Sequence, residues 1–156
     1  GSIFVCVKGA RFDGHSAAAE MLSKGAVMIV TDHDIKCGKQ LVTDNTRLCL
    51  ARLLSSFYGK PSEKLGLLAV TGTNGKTTTA HFVKHILTTL GKKCGCVGTA
   101  GNDTCSGMLK PSQHGTPTVP RATVLYSWLG EMVSNGADYC VMEASSQALD
   151  QYRMKG

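Results

Sequence analysis

The feature that most constrains this chain is the segment at residues 67–79, which reads LLAVTGTNGKTTT. It begins with an uncharged apolar run typical of a buried strand and passes through a turn with two glycines into a helix start. Gly72 and Gly75 let backbone amides face inward, where a Cβ would obstruct a phosphate. The amino-terminal end of the following helix carries partial positive charge, which also attracts a phosphate. The segment therefore predicts a phosphate-binding loop in a parallel α/β domain.

Side chains at the end of the loop supply the expected chemistry. Lys76 can reach the β- and γ-phosphates of a nucleotide, and the Thr77 hydroxyl can ligate Mg²⁺. The spacing departs from the usual G-x-x-x-x-G-K-[ST], since Val70 takes the place of the first glycine. The alternative is a glycine-rich turn that only caps a helix. The combination of strand, glycines, lysine and paired threonines favours phosphate binding.

Strands and helices alternate on both sides of a polar, proline-containing linker at residues 59–64. Before the linker, we expect strands at 3–7, 27–30 and 40–43 and helices at 16–24 and 47–58. After it, we expect strands at 67–70, 94–97 and 139–142, helices ending near 90 and spanning 120–134, and a loop at 98–115. We therefore expect the α/β fold class, with a small, truncated N-terminal α/β domain at 1–64. Together with the predicted phosphate-binding loop, the alternation at 65–156 leads us to expect part of a P-loop-type parallel-sheet ATPase domain there.

Composition narrows the functional classes. The formal net charge is +6, but the basic residues are scattered and their longest run is only two residues, so nucleic-acid binding is not expected. No stretch is long and apolar enough to predict membrane insertion, and the start has no pattern of a signal peptide. The seven cysteines are odd in number and lack a C-x-x-C pair, which favours reduced thiols in the cytoplasm over a disulfide framework or a zinc site.

The loop sequence GTNGKTT at 72–78 resembles the ATP loop of the Mur ligase family. Folylpolyglutamate synthetases share its GTNGK portion. Three further segments are similar to the tripeptide-forming MurE type of that family: FVCVKGARFDGH at 4–15, TVP at 118–120 and MEASSQAL at 142–149, followed by Gln151 and Arg153. The matches span nearly the whole chain in the family's order.

This resemblance implies a set of site residues. The ATP-binding residues would be Gly72, Thr73, Asn74, Gly75, Lys76, Thr77 and Thr78. The catalytic residues would be Lys76 and Glu143, and the Mg²⁺ ligands Thr77 and Glu143. The uridine site would be lined by Ala10, Arg11 and Phe12, and the muramoyl peptide would be held by Thr118, Ser145, Gln151 and Arg153.

Two positions depart from the family's pattern. Val119 stands where a second threonine is frequent, which removes one hydroxyl contact. Gln147 stands where a histidine is common, and its amide offers only a carbonyl oxygen to a cation.

The resemblance also implies a monomeric enzyme with a UDP-muramoyl peptide and a free amino acid, expected to be a diamino acid, as substrates. ATP would phosphorylate the terminal carboxylate, and the amine of the amino acid would attack the resulting acyl phosphate. The chain by itself is expected to be inactive. Two alternatives stay open: a nucleotide-binding P-loop module or switch without ligase activity, and a ligase like folylpolyglutamate synthetase.

Overall fold

The computed structural model describes residues 1–10, 12–109 and 118–156. It confirms the α/β class and divides into two compact units, Gly1–Leu50 and Ala51–Gly156. The division falls inside a helix, before the linker at 59–64 on which the predicted domain limits were based. The assignment of 1–64 and 65–156 to two functional domains stays a prediction.

The first unit contains a parallel three-stranded sheet in the order β1-β2-β3. Its elements are β1 (Ser2–Val5), a 3-10 turn (Gly14–Ala17), α1 (Ala18–Ser23), β2 (Ala26–Thr31), β3 (Gln40–Val42) and the start of α2 (Thr46–Phe57). The apolar, β-branched run in β2 buries its last three residues, and Cys6, Ala18 and Ile29 form the core.

Local hydrogen bonds explain where these helices begin. The Asn45 side chain accepts the Leu48 amide at 2.9 Å and so caps α2. Ser16 does not cap α1, because its hydroxyl donates to the Asp13 carbonyl. Asp13 itself accepts the His15 amide at 3.0 Å and starts a 3-10 turn before α1.

The second unit contains a five-stranded sheet in the order β4-β8-β5-β6-β7. Its elements are a 3-10 turn (Pro61–Glu63), β4 (Gly66–Val70), α3 (Lys76–Thr89), β5 (Cys94–Gly98), β6 (Gly101–Asp103), β7 (Met108–Leu109), α4 (Ala122–Ser134), β8 (Tyr139–Glu143) and α5 (Ser146–Asp150). β4, β8 and β5 are parallel, as predicted, and β6 and β7 continue the sheet in antiparallel fashion.

The predicted loop at 98–115 is wrong over its first part, which forms β6 and β7. The chain turns back after β5 so tightly that Gly98 pairs with Gly101. Gly101 takes a φ of 149°, a conformation available chiefly to glycine. The Asn102 side chain accepts the Gly98 amide at 3.1 Å and secures the turn. Glycines and polar residues thus build a hairpin here rather than an irregular loop.

Helix α4 lines the main core of this unit. Leu125, Tyr126, Leu129 and Met132 recur at helical spacing and are buried. They pack with strand residues that include Val97 and with Trp128, which is partly buried. Among the helices that the structure describes, none combines the length and apolarity needed to span a membrane.

Candidate active site

The strand order brings three chain segments together at the carboxyl ends of the parallel strands. β8 lies between β4 and β5, with Val70 opposite Glu143 and Val97 opposite Met142. Because the three strands are parallel, their carboxyl ends lie side by side. The glycine loop, Glu143 and the turn after β5 are therefore neighbours.

The loop has the backbone conformation that a phosphate cradle needs. Gly72 has a φ of 142° and Gly75 a φ of 77°, both in the region that favours glycine. Gly75 is the N-cap of α3 and, as a glycine, offers no side chain to the first amides of that helix. Among the described residues, no atom lies within 4 Å of a Cβ added at Gly75, so this position of the loop faces open space. Exposed amides at a helix start suit an anionic ligand.

The other predicted ATP-binding side chains lie on the same loop. Thr73, Asn74 and Thr78 are exposed, while Lys76 and Thr77 are half-buried. The Lys76 ammonium donates to the Gly72 carbonyl at 2.8 Å and to the Thr73 carbonyl at 3.3 Å. The charge of Lys76 is therefore held over the turn that the two glycines form.

Glu143 ends β8 and is buried, with 1% of its surface exposed. Its carboxylate accepts hydrogen bonds from the Thr77 hydroxyl at 3.0 Å, the Thr99 amide at 2.8 Å and the Thr99 hydroxyl at 3.2 Å. A buried carboxylate needs such donors, since burial removes its water. The arrangement joins two predicted Mg²⁺ ligands, which are 66 residues apart in sequence. Hydroxyl and carboxylate oxygens are suitable ligands for this ion.

The backbone of Gly98 lies close to this carboxylate. A Cβ at Gly98 would overlap the Glu143 side chain, with its Cγ and Cδ both 3.0 Å away. Gly98 is buried in β5, so its lack of a side chain provides the space that the carboxylate occupies.

Thr99 is a site residue that sequence reasoning missed. It connects two predicted residues, because its hydroxyl bonds both Glu143 and the Thr118 hydroxyl, the latter at 3.3 Å. The signal available in the sequence was its place directly after a buried strand, where parallel α/β folds carry ligand-binding side chains.

The remaining predicted peptide-binding residues lie after β8. Ser145 accepts the Ala148 amide at 3.2 Å and caps α5. Arg153 donates from Nη1 to the Val119 carbonyl at 2.7 Å and from Nη2 and Nε to the Gln151 side-chain oxygen at 2.7 and 3.0 Å. Gln151 and Arg153 are thus adjacent, and Arg153 reaches the residue next to Thr118. Their role toward a substrate stays a prediction.

The two departures from the family's pattern occupy different environments. Val119 is 1% exposed and packs in the main core, so a threonine there would bury its hydroxyl. Gln147 is exposed in the first turn of α5.

The predicted uridine site lies in the first unit. Ala10 is exposed, and Phe12 exposes 61% of its surface. The Gly9 amide donates to the Phe12 carbonyl at 2.8 Å. Arg11 lies outside the described residues.

Comparison with known proteins identifies the family of the chain. The family model for the Mur ligase middle domain matches residues 70–156. A Geobacillus thermodenitrificans protein named UDP-N-acetylmuramoyl-L-alanyl-D-glutamate–2,6-diaminopimelate ligase is 39% identical to the chain, and its Bacillus cereus counterpart is 40% identical. Both alignments cover 100% of this chain, which spans 31% of the length of each relative.

Solved structures show the same likeness. A structure of a UDP-N-acetylmuramoyl-L-alanyl-D-glutamate–2,6-diaminopimelate ligase superposes with a TM-score of 0.78 at 27% identity, over 99% of this chain and 31% of that one. The MurF ligase from Thermotoga maritima in complex with ADP superposes with a TM-score of 0.55 at 25% identity, over 92% of this chain and 29% of that one.

Proposed function

The chain belongs to the Mur ligase family, and we propose from this that its full-length protein is an ATP-dependent ligase of the MurE type. Its substrates would be UDP-N-acetylmuramoyl-L-alanyl-D-glutamate and 2,6-diaminopimelate, the pair in the names of the relatives. The product would be the tripeptide precursor of peptidoglycan. The observation that carries the proposal is the contact of Thr77 with Glu143 beside the glycine loop.

The reaction needs a good leaving group on a carboxylate, which is a poor electrophile at neutral pH. A carboxylate oxygen of the glutamyl residue attacks the γ-phosphorus of ATP, and ADP leaves. The amine of the amino acid then attacks the acyl carbon, and phosphate leaves as the amide bond forms. Lys76 would stabilise the charge that develops on the transferred phosphoryl group.

The ATP site would be the loop at 72–78, whose exposed amides and glycine conformations fit a triphosphate. Thr77 and Glu143 would hold Mg²⁺, which when bound neutralises part of the phosphate charge. Thr99 would position Glu143 through its amide and hydroxyl. The ADP complex of the Thermotoga maritima ligase supports a nucleotide at this fold.

The precursor would be bound at two places. Ala10, Arg11 and Phe12 would bind the uridine, and the exposed ring of Phe12 suits stacking on a base. Thr118, Ser145, Gln151 and Arg153 would hold the muramoyl peptide. In this assignment the segments 1–64 and 65–156 are the precursor-binding domain and the first part of the ATPase domain.

We place this reaction in the cytoplasm, with a monomeric enzyme and no nucleic-acid partner. All seven cysteines are unpaired in the described chain, which suits a reducing compartment.

One of these thiols, Cys94, is expected to be chemically inert. Burial raises the pKa of the Cys94 thiol to about 11, so this group stays protonated and unreactive.

The test is amide formation by the full-length protein, given the UDP-muramoyl dipeptide, ATP and 2,6-diaminopimelate, with the tripeptide detected by mass spectrometry. Lys76→Ala should weaken ATP binding about 10- to 150-fold, the equivalent of a charged hydrogen bond of about 1.5–3 kcal/mol. Lys92→Ala, at an exposed lysine beyond the end of α3, is the matched control and should bind ATP normally.

Different failures have different meanings. ATP hydrolysis without tripeptide, and without dependence on the dipeptide, would indicate a nucleotide-driven module instead of a ligase. Equal ATP affinity in Lys76→Ala and Lys92→Ala would refute the assignment of the phosphate loop.

A further inference from the structure

A cluster of histidine and aspartate side chains lies in the first unit, where no predicted role uses it. His15 follows the predicted uridine segment, and Asp32 and His33 follow β2. The ligand atoms of these three residues all lie within 4.8 Å of one another. The imidazole rings of His15 and His33 stack with their centroids 4.8 Å apart.

The hydrogen bond of His15 determines which of its nitrogens can bind a ligand. Its Nδ1 lies 2.5 Å from the Asp13 carboxylate, which accepts a hydrogen bond from the Nδ1–H group. In the neutral imidazole, Nε2 then carries a lone pair. This arrangement of carboxylate and histidine is the one that orients metal-binding histidines in proteins.

The Nε2 atom of His15 is buried and has no hydrogen-bond partner among the described residues. It nevertheless faces the Asp32 carboxylate, whose Oδ1 is 3.2 Å away. His33 Nδ1 lies 2.5 Å from the same oxygen and is hydrogen-bonded to it. A cation would take the place of the proton in that hydrogen bond, so that two imidazole nitrogens and one carboxylate oxygen could face it together.

The spacing suits a tetrahedral cation. Bonds of about 2.0–2.2 Å separate two tetrahedral ligands by about 3.3–3.6 Å. The 3.2 Å between His15 and Asp32 is close to this separation, and His33 would have to retreat by under about 1 Å. Its side chain is 62% exposed and has room for such a movement.

We propose that His15, Asp32 and His33 bind Zn²⁺, with Asp13 orienting His15 and water completing the coordination. Two imidazoles and one carboxylate are typical ligands of zinc rather than Mg²⁺. The site would connect the 3-10 turn after the Ala10–Phe12 segment to the end of β2. It would thereby hold the predicted uridine segment against the sheet of its own unit.

The described thiols do not join the ligand set. The ligand atoms that converge here belong to two histidines and one aspartate, and none of the described cysteines is part of the group. A site made of nitrogen and oxygen ligands is therefore expected, and this can be seen in a spectrum.

The first experiment counts zinc on the full-length protein after metal removal, using a chromophoric chelator as competitor. The wild type should bind one more tight Zn²⁺ equivalent than His33→Ala or Asp32→Asn. His81→Ala, at an exposed histidine on α3, is the matched control and should keep that equivalent. Asp13→Asn should retain it with an affinity lowered about 10- to 100-fold.

The second experiment replaces zinc by Co²⁺. The wild type should show visible bands of tetrahedral intensity that disappear in His33→Ala, without the near-ultraviolet band of a cobalt–thiolate bond. Because His33 is exposed, its variant should keep the circular dichroism spectrum of the wild type. Equal zinc counts in wild type and His33→Ala would overturn the proposal, as would bands that depend on cysteine.

Discussion

The substitution Gly98→Ala tests the packing around Glu143 most directly. The new Cβ would overlap the carboxylate and lie 3.0 Å from both Cγ and Cδ of Glu143. Contacts this short force a movement, and neither partner can move freely. Gly98 is buried in β5, and three hydrogen bonds hold the carboxylate.

The expected cost follows from these contacts. Overpacking a buried site costs about 1–3 kcal/mol, and a lost hydrogen bond to a charged group costs about 1.5–3 kcal/mol. Allowing for partial relaxation, we expect a loss of about 3 kcal/mol in the free energy of unfolding. For a chain of this size, that lowers Tm by roughly 6–12 °C.

A double-mutant cycle isolates the pairwise contact. Glu143→Asp shortens the side chain by one methylene and makes room for the new methyl group. Gly98→Ala should therefore cost at least about 1 kcal/mol less in a protein that already carries Glu143→Asp than in the wild type. The assay is thermal and urea unfolding followed by circular dichroism at low protein concentration. An equal cost in both backgrounds would refute the reasoning.

Three further predictions concern the substrate, the isolated chain and pH. Arg153→Lys should raise KM for the UDP-muramoyl peptide more than KM for ATP, because lysine lacks the planar fork that now donates twice to Gln151; an unchanged KM for the peptide in steady-state kinetics would exclude Arg153 as a ligand. The 156-residue chain alone should form no tripeptide, because it spans only 31% of its relatives' length. It should also self-associate, because β4 is an edge strand of the described sheet. Tripeptide product seen by mass spectrometry would contradict the first expectation, and a monomer in analytical ultracentrifugation would contradict the second. Burial would raise the pKa of Asp103, but the hydrogen bond from Lys84 Nζ, at 2.6 Å, lowers it below the usual 3.8. The Lys84–Asp103 ion pair therefore stabilises the folded state above pH 3.8, and this stabilisation is lost as the pH falls through the lower pKa of Asp103 in the folded state. Lys84→Met should therefore move the acid-unfolding midpoint to higher pH than exposed Lys92→Met does, and equal midpoints would refute the role of this ion pair.

Much of the fold could be predicted from local sequence. The apolar runs at 27–30, 67–70 and 139–142 are too short for helices and too apolar for loops, and each forms a strand. The helical spacing of apolar residues predicts α2 and α4 to within a few residues. Local rules failed at 101–109, because glycine and polar residues are frequent both in irregular loops and in tight hairpins. Residues 110–115 of the predicted loop lie outside the described residues.

The glycine loop could also be predicted, since its strand, its two glycines and its helix start are contiguous in sequence. Backbone conformation at Gly72 and Gly75 depends on local sterics, and the observed φ angles agree with that expectation. The roles assigned to the loop residues in binding ATP stay a prediction that the Lys76 variant tests.

The sequence by itself determined the strands at 27–30, 67–70 and 139–142, the place where the glycine loop turns and the residue that ends the last strand, because these depend on neighbours within a few positions. Only the tertiary structure decided that β8 lies between β4 and β5, since strand order depends on packing between distant segments. That order brings Glu143 to Thr77 and selects Thr99 as its second partner. It also makes Gly98 necessary, because the space that its missing side chain leaves belongs to a carboxylate 45 positions away in the chain.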